Sequence, residues 1–317
     1  MTALTVRRAC SLVACVALLV AGGCRSPSTD SSSTAARTTT TAAPSTSTTV
    51  APSTTVLPPH LGSSSPLPSV PQPGEPVAAE TASGMAGQLT EAWAALSDPA
   101  GTDERWARAA HVEQVVVRAL SSTKSDLRAA TLAALASGEL RAHVTANVDA
   151  SAKLRTLVGK PRTALPPWRI VEPAPAEELR GYYEEAQADY GVPWQYLAAV
   201  NLVETRFGRI RGTSEAGAQG PMQFLPATWK QYGEGGDVNS YRDSIRAAAR
   251  YLKRNGAPGD MRNALYNYNR SQLYVDAVLA HGDRMAADDV AFRAYYRWQV
   301  YYLTTAGDVW LPTGYGP

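Results

Sequence analysis

Cysteine is missing from almost all of this 317-residue chain: Cys10, Cys15 and Cys24 are followed by none. A disulfide framework is therefore excluded for the bulk of the protein. An excess of charge of one sign is missing too. The 30 basic residues stand against 28 acidic ones, and setting aside Arg7 and Arg8, which precede every acid, leaves 28 of each. That balance gives no support to nucleic acid or an acidic polymer as partner. Long apolar runs are scarce: the stretch from Ala9 to Ala21 falls short of the roughly 20 residues that a membrane-spanning helix needs. Metal-ligand patterns are also lacking. His111 and His143 are isolated, and Glu234, Asp237, Asn239 and Asp243 do not follow the Asp-x-Asp-x-Asp-Gly order of a calcium loop. They read as a solvated turn, and neither a metal nor a cofactor is expected.

The N-terminal residues have the order of an export signal: Arg7 and Arg8, the apolar run, then Ala21-Gly22-Gly23-Cys24. The last four resemble a bacterial lipobox, in which small residues precede a cysteine that is lipidated. Leu12-Val13-Ala14-Cys15 fits the letters better, but cleavage there would leave almost no hydrophobic signal. The expectation is a signal peptide over 1–23 and an exported protein held at the extracytoplasmic face of a membrane by a lipid on Cys24. Acylation would also consume an otherwise lone thiol.

Residues 24–76 form a Ser/Thr/Pro-rich tract without Phe, Tyr or Trp, unable to bury enough apolar surface to fold. It reads as a disordered tether. As a flexible coil it spans roughly 40 Å, and stretched toward polyproline II about 160 Å, enough to lift a domain off a membrane. The period turns helical over 77–160, where Leu89, Ala92, Trp93 and Leu96 make one stripe and Trp106, Ala109, Val116 and Leu120 another. Gly101 to Glu104 and Ser121 to Ser125 are breaks or caps, and Leu127, Leu135, Leu140, Val144 and Val148 continue the pattern. This helical accessory region carries no evident chemistry. A proline-rich connector over 161–175 follows, docked by Trp168 and Ile170, and a second domain occupies 176–317.

That domain is organised around Gly191 to Trp229. Pro193 suits a helix start, where its missing N–H is no loss. Leu197, Val200 and Glu204 follow at helical spacing, so Glu204 falls on the apolar face in the last turn, before Gly208 breaks the helix. A carboxyl there loses hydration, which raises its pKa and suits a general acid. The bland alternative is a solvated glutamate paired with Arg206 or Arg209. The next segment, Gly217-Ala218-Gln219-Gly220-Pro221-Met222-Gln223-Phe224, weighs against it: glycines let backbone approach a ligand, and Gln223 offers an amide suited to sugar hydroxyls and N-acetyl groups.

With Glu204-Thr205-Arg206-Phe207-Gly208-Arg209, then GAQGPMQFLPATW, then Tyr268-Asn269-Arg270-Ser271 and Tyr274-Val275, the chain resembles the lytic transglycosylases of the lysozyme-like superfamily, most closely the membrane-bound B-type branch. The resemblance does not cover 77–160. It implies an all-α, lysozyme-like catalytic domain acting on peptidoglycan glycan strands. It implies Glu204 as the catalytic acid and then base, with Met222, Gln223, Phe224, Tyr268, Asn269, Ser271 and Tyr274 as substrate-binding residues. The hydroxyl of Tyr268 is expected on the catalytic carboxyl. The implied reaction opens the bond between N-acetylmuramic acid and N-acetylglucosamine and leaves a 1,6-anhydromuramyl end. Two alternatives stay open: a lysozyme-type hydrolase using Glu215 to position water, and a wall-binding lipoprotein without activity. The aromatic C-terminal segment, from Tyr295 through Trp298 and Tyr302 to Trp310, is expected to pack and to contribute to the groove wall. No feature of the sequence identifies a protein partner.

Overall fold

The computed structural model describes residues 67–68, 70–122 and 125–316. The signal, Cys24 and the tether as far as residue 66 lie outside the described residues. Helix α1 (Ala82–Ser97) starts where the Thr81 hydroxyl accepts a hydrogen bond from the Gly84 N–H, and α2 (Asp103–Ser122) follows Thr102, which caps Arg105 in the same way. Then come α3 (Ser125–Ala134) and α4 (Gly138–Val158), the latter capped by Ser137. The expected breaks at 101–104 and 121–125 fall where these helices end. Of the predicted stripes, Leu89, Ala92, Leu96, Ala109, Val116, Leu120, Leu135, Leu140, Val144 and Val148 are buried.

The connector runs through a two-residue strand, β1 (Arg169–Ile170), to α5 (Ala176–Tyr190), which stops at a left-handed Gly191. Helix α6 (Trp194–Thr205) then passes through the middle of the protein. Its last nine residues, Leu197 to Thr205, are all buried, so it has no polar face; each buried leucine there contributes about 1.5–3 kcal/mol by leaving water. Strand β2 (Ile210–Arg211) pairs antiparallel with β1, followed by α7 (Pro226–Tyr232), α8 (Tyr241–Arg254), α9 (Met261–Tyr268), α10 (Gln272–Ala287) and α11 (Asp289–Arg297). At the start of α8 the Ser240 hydroxyl accepts from the Asp243 N–H, as its capping sequence predicts, and Ile245, Ala248, Ala249 and Leu252 are fully buried. One continuous core runs from Met85 in α1 to Trp298 after α11. Helix α4 lies along α10 and α2, joining the accessory helices to the rest. A buried network reinforces the join, in which Tyr295 of α11 donates to Asn147 of α4, whose amide donates to Glu113 of α2.

The helical expectation holds for the bulk of the chain but not for the aromatic C-terminus. There β3 (Val300–Thr304) and β4 (Gly307–Leu311) form an antiparallel hairpin with Thr305 and Ala306 at its turn. Alternation explains it: Val300, Tyr302, Thr304, Val309 and Leu311 face inward. With Trp168 and Ile170, Val300, Tyr302, Val309 and Leu311 make a second, smaller core, so the connector docks through the two residues expected. Residues 70–76, assigned by composition to the tether, lie beside this hairpin, and Gln72 donates to the Trp310 carbonyl. No helix among the described residues is long and apolar enough to cross a membrane.

Candidate active site

Helix α6 ends abruptly, and that ending presents Glu204. Arg206, Phe207 and Gly208 adopt left-handed backbone in succession, with φ of 53°, 59° and 80°. The sequence predicts that Gly208 breaks the helix; the break comes two residues earlier, at Arg206. Two non-glycine residues held in this region cost of order 1 kcal/mol or more each, so the surroundings must over-determine the turn. They do. The Thr205 hydroxyl donates to the Pro221 carbonyl at 2.6 Å and accepts from the Gly208 N–H at 3.0 Å. Asn201 also donates to Pro221, at 2.8 Å, and accepts from the buried Tyr183 hydroxyl at 2.6 Å.

These bonds pin the Gly217–Phe224 loop against α6. Gln219 and Phe224 pair across the loop, and Gly220 passes so close to Val238, in a turn, that a Cβ would sit 1.9 Å from its carbonyl oxygen. Met222 and Phe224 are buried, Phe224 edge-on to Tyr268 and Trp229; Gln223 is half-buried, and its amide donates to Gly220 O. The Tyr268 hydroxyl donates to the Met222 carbonyl at 2.6 Å rather than to Glu204, which corrects the expectation for that residue. The tyrosine on the Glu204 carboxyl is Tyr274, whose hydroxyl lies 2.7 Å from Oε1. Asn269 is buried at the end of α9, and Ser271 takes the N-cap position of α10.

Glu204 is 4% exposed, and its Oε2 makes no hydrogen bond. Burial pushes its pKa up to about 8, against the smaller pull of the Tyr274 hydroxyl in the other direction. Near neutrality the carboxyl is protonated. Arg206 and Arg209, its alternative partners, are engaged elsewhere: Arg206 donates to the Leu202 carbonyl, and Arg209 pairs with Glu172 at 2.8 Å. Burial drives the hydroxyl pKa values of Tyr268 and Tyr274 well above the usual tyrosine range, which keeps both as donors.

The carboxyl lines a cleft of about 100 Å³. Val203, Arg206 and His281 share its wall; opposite are residues of α2, α4 and the hairpin, with Trp168 and Trp298 among the aromatic lining. Arg118, Arg155, His281 and Tyr301 in this lining were not among the residues singled out by motif. Burial holds the His281 imidazole down at about 3, so it is neutral. Glu215 does not share the cleft. It is exposed, 4.0 Å from Arg162, and lines a separate pocket beside Leu165 and Trp168. The acidic turn is accounted for locally, since Glu234 pairs with Arg250 at 2.9 Å and Asp243 accepts from the Asp237 N–H.

The site is thus one buried, protonated glutamic acid at a helix end, braced by a tyrosine and a glycine-rich loop in a mainly helical domain. Residues 181–284, about a third of the chain, match the family model of the Transglycosylase SLT domain. The match includes α6 and α10 and leaves out α1 to α4 and the hairpin. Membrane-bound lytic murein transglycosylase F of Thiobacillus denitrificans is 36% identical over 75 residues, 24% of this chain and 16% of that protein. The chain therefore aligns with about a sixth of that relative's length, and the relative is F-type where the motifs suggested the B-type branch. No solved structure matches.

Proposed function

We propose that the protein is a peptidoglycan lytic transglycosylase acting in cell-wall remodelling, with Glu204 as its single acid and base. One observation carries this: a carboxyl protonated near neutrality lines the cleft, and no second acidic side chain lines it among the described residues. Inverting and retaining glycosidases need a carboxylate pair across the scissile bond. A single group suffices where the substrate supplies the nucleophile. Glu204 donates its proton to the oxygen bridging N-acetylmuramic acid and N-acetylglucosamine, and that C1–O bond breaks. The sugar's own N-acetyl group stabilises the developing positive charge. Glu204, now a carboxylate, takes the proton of the C6 hydroxyl as its oxygen bonds to C1. The product is a 1,6-anhydromuramyl end, no water is consumed, and the acid is regenerated. Tyr274 holds the carboxyl in place, and its hydrogen bond favours the carboxylate form needed for the second step. Gln223 and Asn269, which belong to the family motifs but not to the lining of this cleft, are the proposed contacts to the sugar, with Tyr268 and the buried Met222 and Phe224 holding the loop that presents Gln223.

The hydrolase alternative needs a carboxylate to position water, and Glu215 lines a different pocket. Digestion of peptidoglycan followed by mass spectrometry separates the two: anhydromuramyl ends support a transglycosylase, and reducing ends overturn it. Glu204→Gln should lower activity by about 10²–10⁴-fold, the usual worth of general acid–base catalysis. Full activity in that variant ends the proposal for either enzyme, and a wild type without activity leaves a wall-binding protein.

Export and a lipid anchor at Cys24 belong to the same proposal, supported by the order of Arg7, Arg8, apolar run and small residues. Metabolic labelling with a fatty-acid analogue should mark the wild type and not Cys24→Ala; equal labelling of both removes the anchor.

A further inference from the structure

The cleft holds more positive charge than its chemistry requires. Arg118 and Arg155 line it, and the one acidic side chain in its lining, Glu204, is protonated. Arg118 and Arg155 share a single carboxylate: Asp308 on β4 lies 2.7 Å from each. One acid between two guanidiniums leaves cation in excess. Burial and the neighbouring Arg155 both work against the charge on Arg118, and its buried Nε makes no hydrogen bond. An anion entering the cleft would relieve both conditions. Arg155 is the more accessible, its side chain 26% exposed, and it sits on a regular stripe: Ser151, Leu154, Arg155 and Val158 of α4 all face the cleft at helical spacing. Helices α2 and α4 lie outside the matched family segment, so the match does not account for this wall.

We propose that α2 and α4 form a subsite for the carboxylates carried by the muramyl residues of the glycan strand, with Arg155 as the principal contact. The accessory region then selects the substrate rather than only supporting the fold. This rests on the transglycosylase assignment, because it takes the ligand to be a muramyl strand. A guanidinium binds a carboxylate through charge-assisted hydrogen bonds, whereas it gains little from the neutral hydroxyls of the sugars.

Binding separates this proposal from catalysis. In the Glu204→Gln protein, which keeps the cleft but lacks the acid, the dissociation constant is measured for fluorescently labelled peptidoglycan strands. One set has its carboxylates intact, and the other has them converted to methylamides. Intact strands should bind about tenfold more tightly, and less so as salt rises. Adding Arg155→Gln should remove the preference while leaving affinity for the amidated strands unchanged. Arg155→Lys, which retains the charge beside Asp308, should restore part of it. Equal affinity of the two strand types, or a preference that survives Arg155→Gln in a variant with an unchanged melting temperature, overturns the subsite. If Arg155→Gln fails to fold, Arg155→Lys with only the strand preference reduced supports it, and Arg155→Lys with both strands weakened equally overturns it. The assignment itself fails separately, if the wild type leaves no anhydromuramyl ends.

Discussion

Glu113 and Glu204 are the two buried glutamates among the described residues, 2% and 4% exposed, and their surroundings differ in kind. Glu113 Oε1 accepts from Asn147 at 3.2 Å and lies 3.1 Å from His143 Nε2; the Tyr295 hydroxyl closes the network on Asn147. His143 is further packed between Trp93 and Tyr295. Glu204 has one donor on Oε1, none on Oε2, and a cleft beside it. A carboxyl enclosed by donors fixes how helices pack. A carboxyl left half-satisfied at a cleft wall is destabilising where it stands, and that is the cost of keeping a proton ready for transfer. Burial is common to both; the unmatched oxygen at a cleft is what distinguishes Glu204, the acid proposed for catalysis, from Glu113.

Substitution should pull the two apart. The largest effect is expected from Glu204→Gln, which loses activity by orders of magnitude yet gains relative stability as pH rises. The folded pKa of about 8 lies above the ordinary glutamate value of 4.5, so the folded protein holds the proton more tightly than the unfolded chain. Its contribution is fully present below pH 4.5 and is lost as pH rises toward 8, on the order of a few kcal/mol in all. Glutamine does not titrate. Denaturant unfolding should show the wild type losing stability relative to Glu204→Gln between those limits, and parallel curves would break the comparison.

Glu113→Ala should do the opposite. It leaves His143 and Asn147 without their shared acceptor, at about 1–3 kcal/mol, while the folded protein keeps its activity. A lowered melting temperature with unchanged specific activity is the expected pair of results. Loss of activity in material that remains folded would mean that the two sites are not separate.

Much of the site is legible in the sequence, because its parts are local. Pro193, the spacing of Leu197, Val200 and Glu204, and the glycines of the following loop each state a backbone preference within a few residues. The tyrosine assignment went to the wrong member of a pair. Tyr268 ends α9 and Tyr274 lies in the first turn of α10, and which hydroxyl reaches Glu204 depends on how α10 packs on α6. Asn201 and Thr205 were passed over because a polar residue inside a buried helix has no periodic signature; only the Pro221 carbonyl explains them. In the hairpin, a dense run of aromatics hides the alternation of inward residues, although Gly307 sits at the turn. Arg118 and Arg155 look like ordinary helix-surface residues, and tertiary packing alone carries them to the cleft.

The central claim is that Glu204 stays protonated at neutrality because it is buried with a single donor. The most direct test is the titration of its side-chain carboxyl resonance in ¹³C-glutamate-labelled protein, assigned by its disappearance in Glu204→Gln and repeated in Tyr274→Phe. The expected midpoint is about 8 in the wild type, moving higher in Tyr274→Phe because the hydrogen bond that favours the carboxylate is gone. A wild-type midpoint near 4.5, unmoved by Tyr274→Phe, would contradict the account.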